Sequence, residues 1–198
     1  MRYLIYFIAF FSFTTSAESV KDRLVALEQA DQAVREKVRL TVQMRGVQGV
    51  TPELIEQHNQ VDRDNTIALK AMLKSEGLNA ILASGDIAID AFSLIVQHSH
   101  DQSFQLTMIE QLHQAFQKDA GISGVQLALL TDRVLVKQKK KQRYGTQVDI
   151  KVDGVSFKPI ENPSAVNARR AELGLPTLKA YCAEINEKFN YDCKEIPD

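Results

Sequence analysis

The chain has 198 residues, of which 44% are hydrophobic and 25% charged, with a formal net charge of -1. That balance describes a globular chain able to bury a core, and it excludes a disordered polyelectrolyte. It equally excludes a strongly basic surface, so no nucleic-acid partner is expected. Length favours one domain.

The first segment predicts an export signal. Met1-Arg2 supplies one positive charge, Tyr3 to Phe13 is a short apolar core, and Thr15-Ser16-Ala17 offers small residues to a signal peptidase. Cleavage is expected after Ala17, leaving residues 18–198 as a single domain in the periplasm or outside the cell. The apolar run is shorter than the roughly 20 residues a mature bilayer helix requires, so no membrane span is expected in the mature form. No cysteine follows the small residues, which argues against a lipid anchor.

After the leader, Val20, Leu24, Leu27, Val34 and Val38 recur at three- and four-residue steps, apart from one gap around Asp31. The spacing predicts an amphipathic helix from about Ser19 to Met44, with Lys21, Arg35 and Lys37 on its wet side. Thr51-Pro52-Glu53 marks a second start, a capping hydroxyl followed by proline and an acid, and Gly77 stops that helix after about Lys74. A third helix, from about Asp86 to His98, is the most apolar of the set and is expected to be central. Phe104, Met108, Leu112 and Phe116 then predict a fourth, lasting to about Lys118.

The next helix opens at Ser123 and carries Asp132-Arg133. On a helical wheel Leu127, Leu130 and Val134 share one face, and Val125, Leu129 and Val136 the opposite one. Asp132 falls within that second stripe, where a buried carboxylate needs a partner. Arg133 and the polar side chains of the following strand are the nearest ones. The basic connector from Lys137 to Arg143 reads as a solvated hairpin entry, with contact to an anionic envelope surface as the sharper alternative.

From Gln142 the period changes to two, and Val148, Ile150 and Val152 alternate with charged residues. Asp153-Gly154 signals a tight turn, and Ser156 to Ile160 a return strand. A helix restarts at Asn162-Pro163 and closes near Gly174 and Pro176, and a last one begins at Thr177. The fold class is therefore mainly α, a single multi-helix domain with one β-hairpin near residues 142–160. Cys182 and Cys193 are the only two cysteines. In an oxidising compartment an even count favours a disulfide between them. The alternatives are two inert thiols or a redox pair, although the spacing does not fit C-x-x-C chemistry.

Leu129-Leu130-Thr131-Asp132-Arg133, Gln142-Arg143-Tyr144-Gly145-Thr146-Gln147, and Arg169-Arg170 with Leu173-Gly174-Leu175-Pro176 together resemble an uncharacterised bacterial family, a domain of unknown function. Val96-Gln97-His98 with Asp101 and Phe104-Gln105, and Val61-Asp62-Arg63-Asp64-Asn65, match the same family. The resemblance spans about Val61 to Tyr181. It implies a site map but no reaction. Two positions depart from its pattern: an expected Gly-Trp-Pro stands as Gly77-Leu78-Asn79, and a connector glycine is replaced within Lys139-Lys140-Lys141.

Among candidate residues, His98 leads for acid-base work because imidazole titrates near neutrality. The plain alternative is that it caps the end of its helix. Arg133 offers a planar fork for a carboxylate or phosphate, with Asp132 orienting either it or His98; the plain alternative is a buried structural Asp132–Arg133 pair that ties the helix to the hairpin. Gln97, Asp101, Gln105, Gln142, Tyr144, Thr146 and Gln147 are the expected ligand-binding groups, though N-capping also explains Asp101. His100 reads as a solvated loop residue. No cofactor motif is present, and no metal site is assigned. His98, His100 and Asp101 form a weak metal-type spacing without an H-E-x-x-H or cysteine cluster beside it. Two functional readings stay open. One is a polar pocket that binds, and in its enzymatic version acts on, a polar or anionic small ligand. The other is a non-catalytic envelope protein that binds a macromolecule through an exposed Val20-Leu24-Val34 face.

Overall fold

The computed structural model describes residues 18–151, 154–189 and 193. The leader assigned to residues 1–17 lies outside them. The first long helix, α1 (Val20–Arg45), begins where Ser19 accepts a hydrogen bond from the Asp22 amide. The second, α2 (Pro52–Ser75), begins where Thr51 caps Leu54. A short α3 (Leu78–Leu82) follows, then α4 (Asp86–His98), α5 (Gln102–Phe116) and α6 (Gly124–Lys137). The C-terminal part holds β1 (Val148–Lys151), β2 (Gly154–Phe157), α7 (Val166–Glu172) and α8 (Leu178–Phe189). The fold is mainly helical with one antiparallel hairpin, as the hydrophobic periods predict.

Helix α4 is the hub. Its Ala88, Ile89, Ala91, Phe92, Ile95 and Val96 are all buried, in one core with Leu24 of α1, Leu69 of α2, Leu112 of α5 and Leu127 of α6. α1 and α2 pack on each other and on α4, and α5 packs on α6. This arrangement turns one face of α1 and one of α2 toward the last turn of α4. A second, smaller cluster of Ile160, Val166 and Leu178 holds the hairpin against α7 and α8.

Several local expectations change. Beyond Gly77 the chain forms α3 because Ile81 and Leu82 are drawn into the core. The paired strand begins at Val148, not at Gln142; between them only Gln142 makes an isolated bridge, to Ile160. Residues 143–146 instead curl so that their amides face Asp132, a path that Gly145 permits at φ +70. Lys151 pairs with Gly154, so the glycine is the first residue of the return strand. The expected turn residue Asp153 lies outside the described residues. The second face of α6 is only partly covered: Val125 is exposed, while Leu129 and Val136 are half-buried.

Cys182 and Cys193 are paired, with Cα atoms 5.7 Å apart. Among the described residues, no helix is long and apolar enough to cross a membrane.

Candidate functional site

The densest ionisable cluster lies where α1, α2 and the end of α4 meet. Asp31 and Arg35 stand one helical turn apart on α1, and His58 and Asp62 one turn apart on α2, so each pair shares a face. Asp62 follows the buried stripe of α2 that also contains Leu54 and Leu69. His98 closes α4, and His100 lies just beyond it.

Asp31 is 0% exposed and Asp62 3%. The Arg35 guanidinium lies between them, its Nη2 at 3.2 Å from Asp31 Oδ1 and 2.8 Å from Asp62 Oδ1. Its Nε lies 3.0 Å from His98 Nδ1, and its Nη1 meets His58 Nε2. His98 Nδ1 is in turn 2.8 Å from Asp31 Oδ1. His100 Nε2 stands 3.2 Å from Asp62 Oδ2, and His58 Nδ1 3.7 Å from the same oxygen. Among the described residues no backbone amide donates to either carboxylate. Both are held by side chains: Arg35 is 21%, His98 18% and His100 48% exposed, and the Gln32 amide donates to Asp31 Oδ2 at 2.8 Å.

The turn that carries His98 is clamped from behind. The Gln105 amide donates to the carbonyls of Val96, Gln97 and Ser99, and the Lys137 ammonium to those of Gln97 and Ser99. Burial holds the Lys137 ammonium below the usual lysine value, while attraction to Asp62 works the other way. In front, Gln97 Nε2 is 3.3 Å from His98 Nε2, and its Oε1 accepts from Arg133 Nη1. Gln97 and Arg133 line a groove of about 210 Å³, together with Glu28, Asp90 and Gln126.

Asp132 belongs to a different construction. Its carboxylate accepts from the amides of Arg143, Tyr144 and Thr146 and from the Thr146 hydroxyl, at 2.7 to 3.2 Å. Burial raises its pKa above the ordinary aspartate value, and those donors pull it back down. The Tyr144 carbonyl accepts from Arg170 Nη1 at 2.6 Å, and the Tyr144 hydroxyl meets His113 Nε2 at 3.3 Å. Gln142 bonds the Gln147 and Lys158 carbonyls through its amide nitrogen and the Gln147 amide through its oxygen.

The structure thus divides the predicted site residues. It brings His98, Gln97 and Arg133 together, and collects Asp132, Tyr144, Thr146, Gln142 and Gln147 in a second group around the loop. Gln105 caps α4, and Asp101 caps α5 through the Phe104 amide while pairing with Lys70 at 2.6 Å. The carboxylate beside His98 is Asp31, in place of the expected Asp132. Arg35, predicted to point to water, lies at the centre of the cluster. His100, predicted to be solvated, contacts Asp62. Sequence reasoning left Asp31, Arg35, His58 and Asp62 out of the site. The available signal was a carboxylate at an apolar-stripe position, visible at Asp31 and again at Asp62.

Over residues 18–194 the chain matches a family model described as a family of unknown function, DUF6624. The protein belongs to that family. The matched segment contains all of the groups just described and both members of the cysteine pair. Neither a curated protein nor a solved structure matches the chain.

Proposed function

We propose that this DUF6624 domain binds a small polar, anionic ligand over the Asp31–Arg35–Asp62–His98 cluster and acts on it by proton transfer. The observation that carries this reading is the pair of buried carboxylates on separate helices, both met by ionisable side chains that are partly exposed. Burying two carboxylates costs several kcal/mol each before compensation, and an apolar pair would join α1 to α2 more cheaply. His98 beside Asp31, and His58 and His100 beside Asp62, are the proton carriers at hand. Arg133 on the adjoining groove supplies the planar fork for negative charge. The cysteine pair fits an oxidising compartment, which supports export and a periplasmic or secreted location.

The rival reading, a macromolecular interface on the first helix, needs Val20, Leu24 and Val34 exposed. Leu24 and Val34 are buried and Val20 packs against the core, so the ionisable cluster is the preferred reading. A search by native mass spectrometry for small molecules retained by the mature protein, followed by screening of chemically related substrates, tests it. Retention and turnover are expected to fall at least about tenfold in His98→Ala and Arg35→Ala. Unchanged retention and turnover in both variants would remove the cluster from the function.

A further inference from the structure

The cluster contains a contradiction in hydrogen bonding. His98 Nδ1 lies 3.0 Å from Arg35 Nε, which can only donate, and 2.8 Å from Asp31 Oδ1, which as a carboxylate can only accept. If the ring nitrogen carries a proton, it satisfies Asp31 and confronts the guanidinium. If it does not, it accepts from Arg35 and sets its lone pair against a carboxylate oxygen. Two buried carboxylates share the Arg35 guanidinium at hydrogen-bond distance, and the other fixed cation that acts on Asp62 is the Lys137 ammonium.

We propose that Asp31, Asp62 and His98 hold a first-row divalent metal ion, with the Arg35 guanidinium occupying that position when the ion is absent. One ligand atom from each of the three residues lies within 4.8 Å of the others. Ligand atoms bound at about 2.0–2.2 Å stand roughly 3 Å apart when adjacent and about 4 Å when opposite, so small side-chain movements close the set. Two carboxylates and an imidazole suit zinc, manganese and related ions. Coordination needs the His98 Nδ1 lone pair, so the proton conflict disappears, and a divalent charge balances both carboxylates.

The inference rests on the reading that this cluster is the functional site, and it deepens that reading. With the ion bound, His98 would serve as a ligand through its ring nitrogen. Arg35, a long and partly exposed side chain, is released from the two carboxylates and can offer its fork to the anionic ligand.

The test uses the purified mature protein, stripped with chelator and dialysed against zinc, manganese or cobalt chloride. Bound metal is measured by elemental analysis, and cobalt by its visible absorption. One ion per chain is expected, with a rise in thermal midpoint. Asp31→Asn, Asp62→Asn and His98→Ala are each expected to weaken binding by at least about tenfold, with folding verified by circular dichroism. Arg35→Met is expected to tighten it, since the ion no longer displaces a guanidinium. No binding by either wild type or Arg35→Met overturns the proposal, as does binding that Asp31→Asn and His98→Ala leave unchanged. Small-molecule retention measured in chelator separates the two ideas. If no metal binds while His98→Ala still loses the retention that wild type shows in chelator, the metal inference alone falls. If metal binds as described and nothing is retained or turned over, the ligand reading falls.

Discussion

Among the described residues, two regions bury carboxylates, and they do so in opposite ways. Asp132 is surrounded by donors that the chain itself fixes, the amides of Arg143, Tyr144 and Thr146 and the Thr146 hydroxyl. Asp31 and Asp62 are surrounded by side chains, a guanidinium and imidazoles that are partly open to water, with the Gln32 amide also donating to Asp31. A carboxylate held by backbone has one stable arrangement and behaves as architecture. One held by ionisable side chains can exchange its partners for a ligand or an ion, which chemistry requires. Burial alone therefore does not separate a structural aspartate from a functional one. The kind of donor does.

The largest effect expected from this contrast is on stability at the loop. Asp132→Ala leaves three amides without an acceptor and is expected to cost about 3 kcal/mol or more, read as a lower urea midpoint. A loss below about 1 kcal/mol would show that the loop does not depend on the carboxylate.

Gly145→Ala strikes the same construction from the backbone side. The residue sits at φ +70, and an added Cβ would lie 2.6 Å from Leu178 Cδ2. The expected cost is about 2 kcal/mol, with little change in metal or small-molecule retention. A substantial loss of retention at unchanged stability would join the two regions into one site.

Asp31→Asn is expected to change stability by only about 1 kcal/mol or less, because it leaves Arg35 balanced against Asp62 instead of stranding a charge. Function, however, should be lost with it. A penalty like that of Asp132→Ala would make Asp31 structural as well and erase the distinction.

The smallest expected effect is a pH dependence. Burial, with the nearby Arg143 charge adding to it, holds His113 below the ordinary histidine value of 6.5. The unfolded chain then binds the proton first as pH falls, so this residue's contribution to stability declines from pH 6.5 down through its lower folded pKa. Denaturation midpoints across that window are expected to flatten in His113→Gln. An unaltered slope would assign the dependence to another group.

Much of the helical frame was legible because its signals are local. Ser19, Thr51, Asp101 and Ser123 each precede an apolar stripe and each caps the helix expected from it. The segment 142–147 was misread as strand because its polar alternation resembles one. What bends it is a carboxylate on α6, more than a full turn of sequence away. The site was legible in fragments. His98, Gln97 and Arg133 belong together as expected, but the gap at Asp31 was read as an interruption in a stripe, and Arg35 as a solvated residue.

By itself the sequence determined where the longer helices begin and end, which stripes are apolar, that a hairpin follows α6, and that two cysteines lie within reach of each other. Each of those rests on interactions among residues a few positions apart or on simple spacing. Only the tertiary structure decided which buried aspartate meets which partner. Asp31 and His98 stand 67 residues apart, and no local pattern distinguishes a carboxylate that will face backbone amides from one that will face a guanidinium and an imidazole. That choice is made when α1 and α2 close on the last turn of α4.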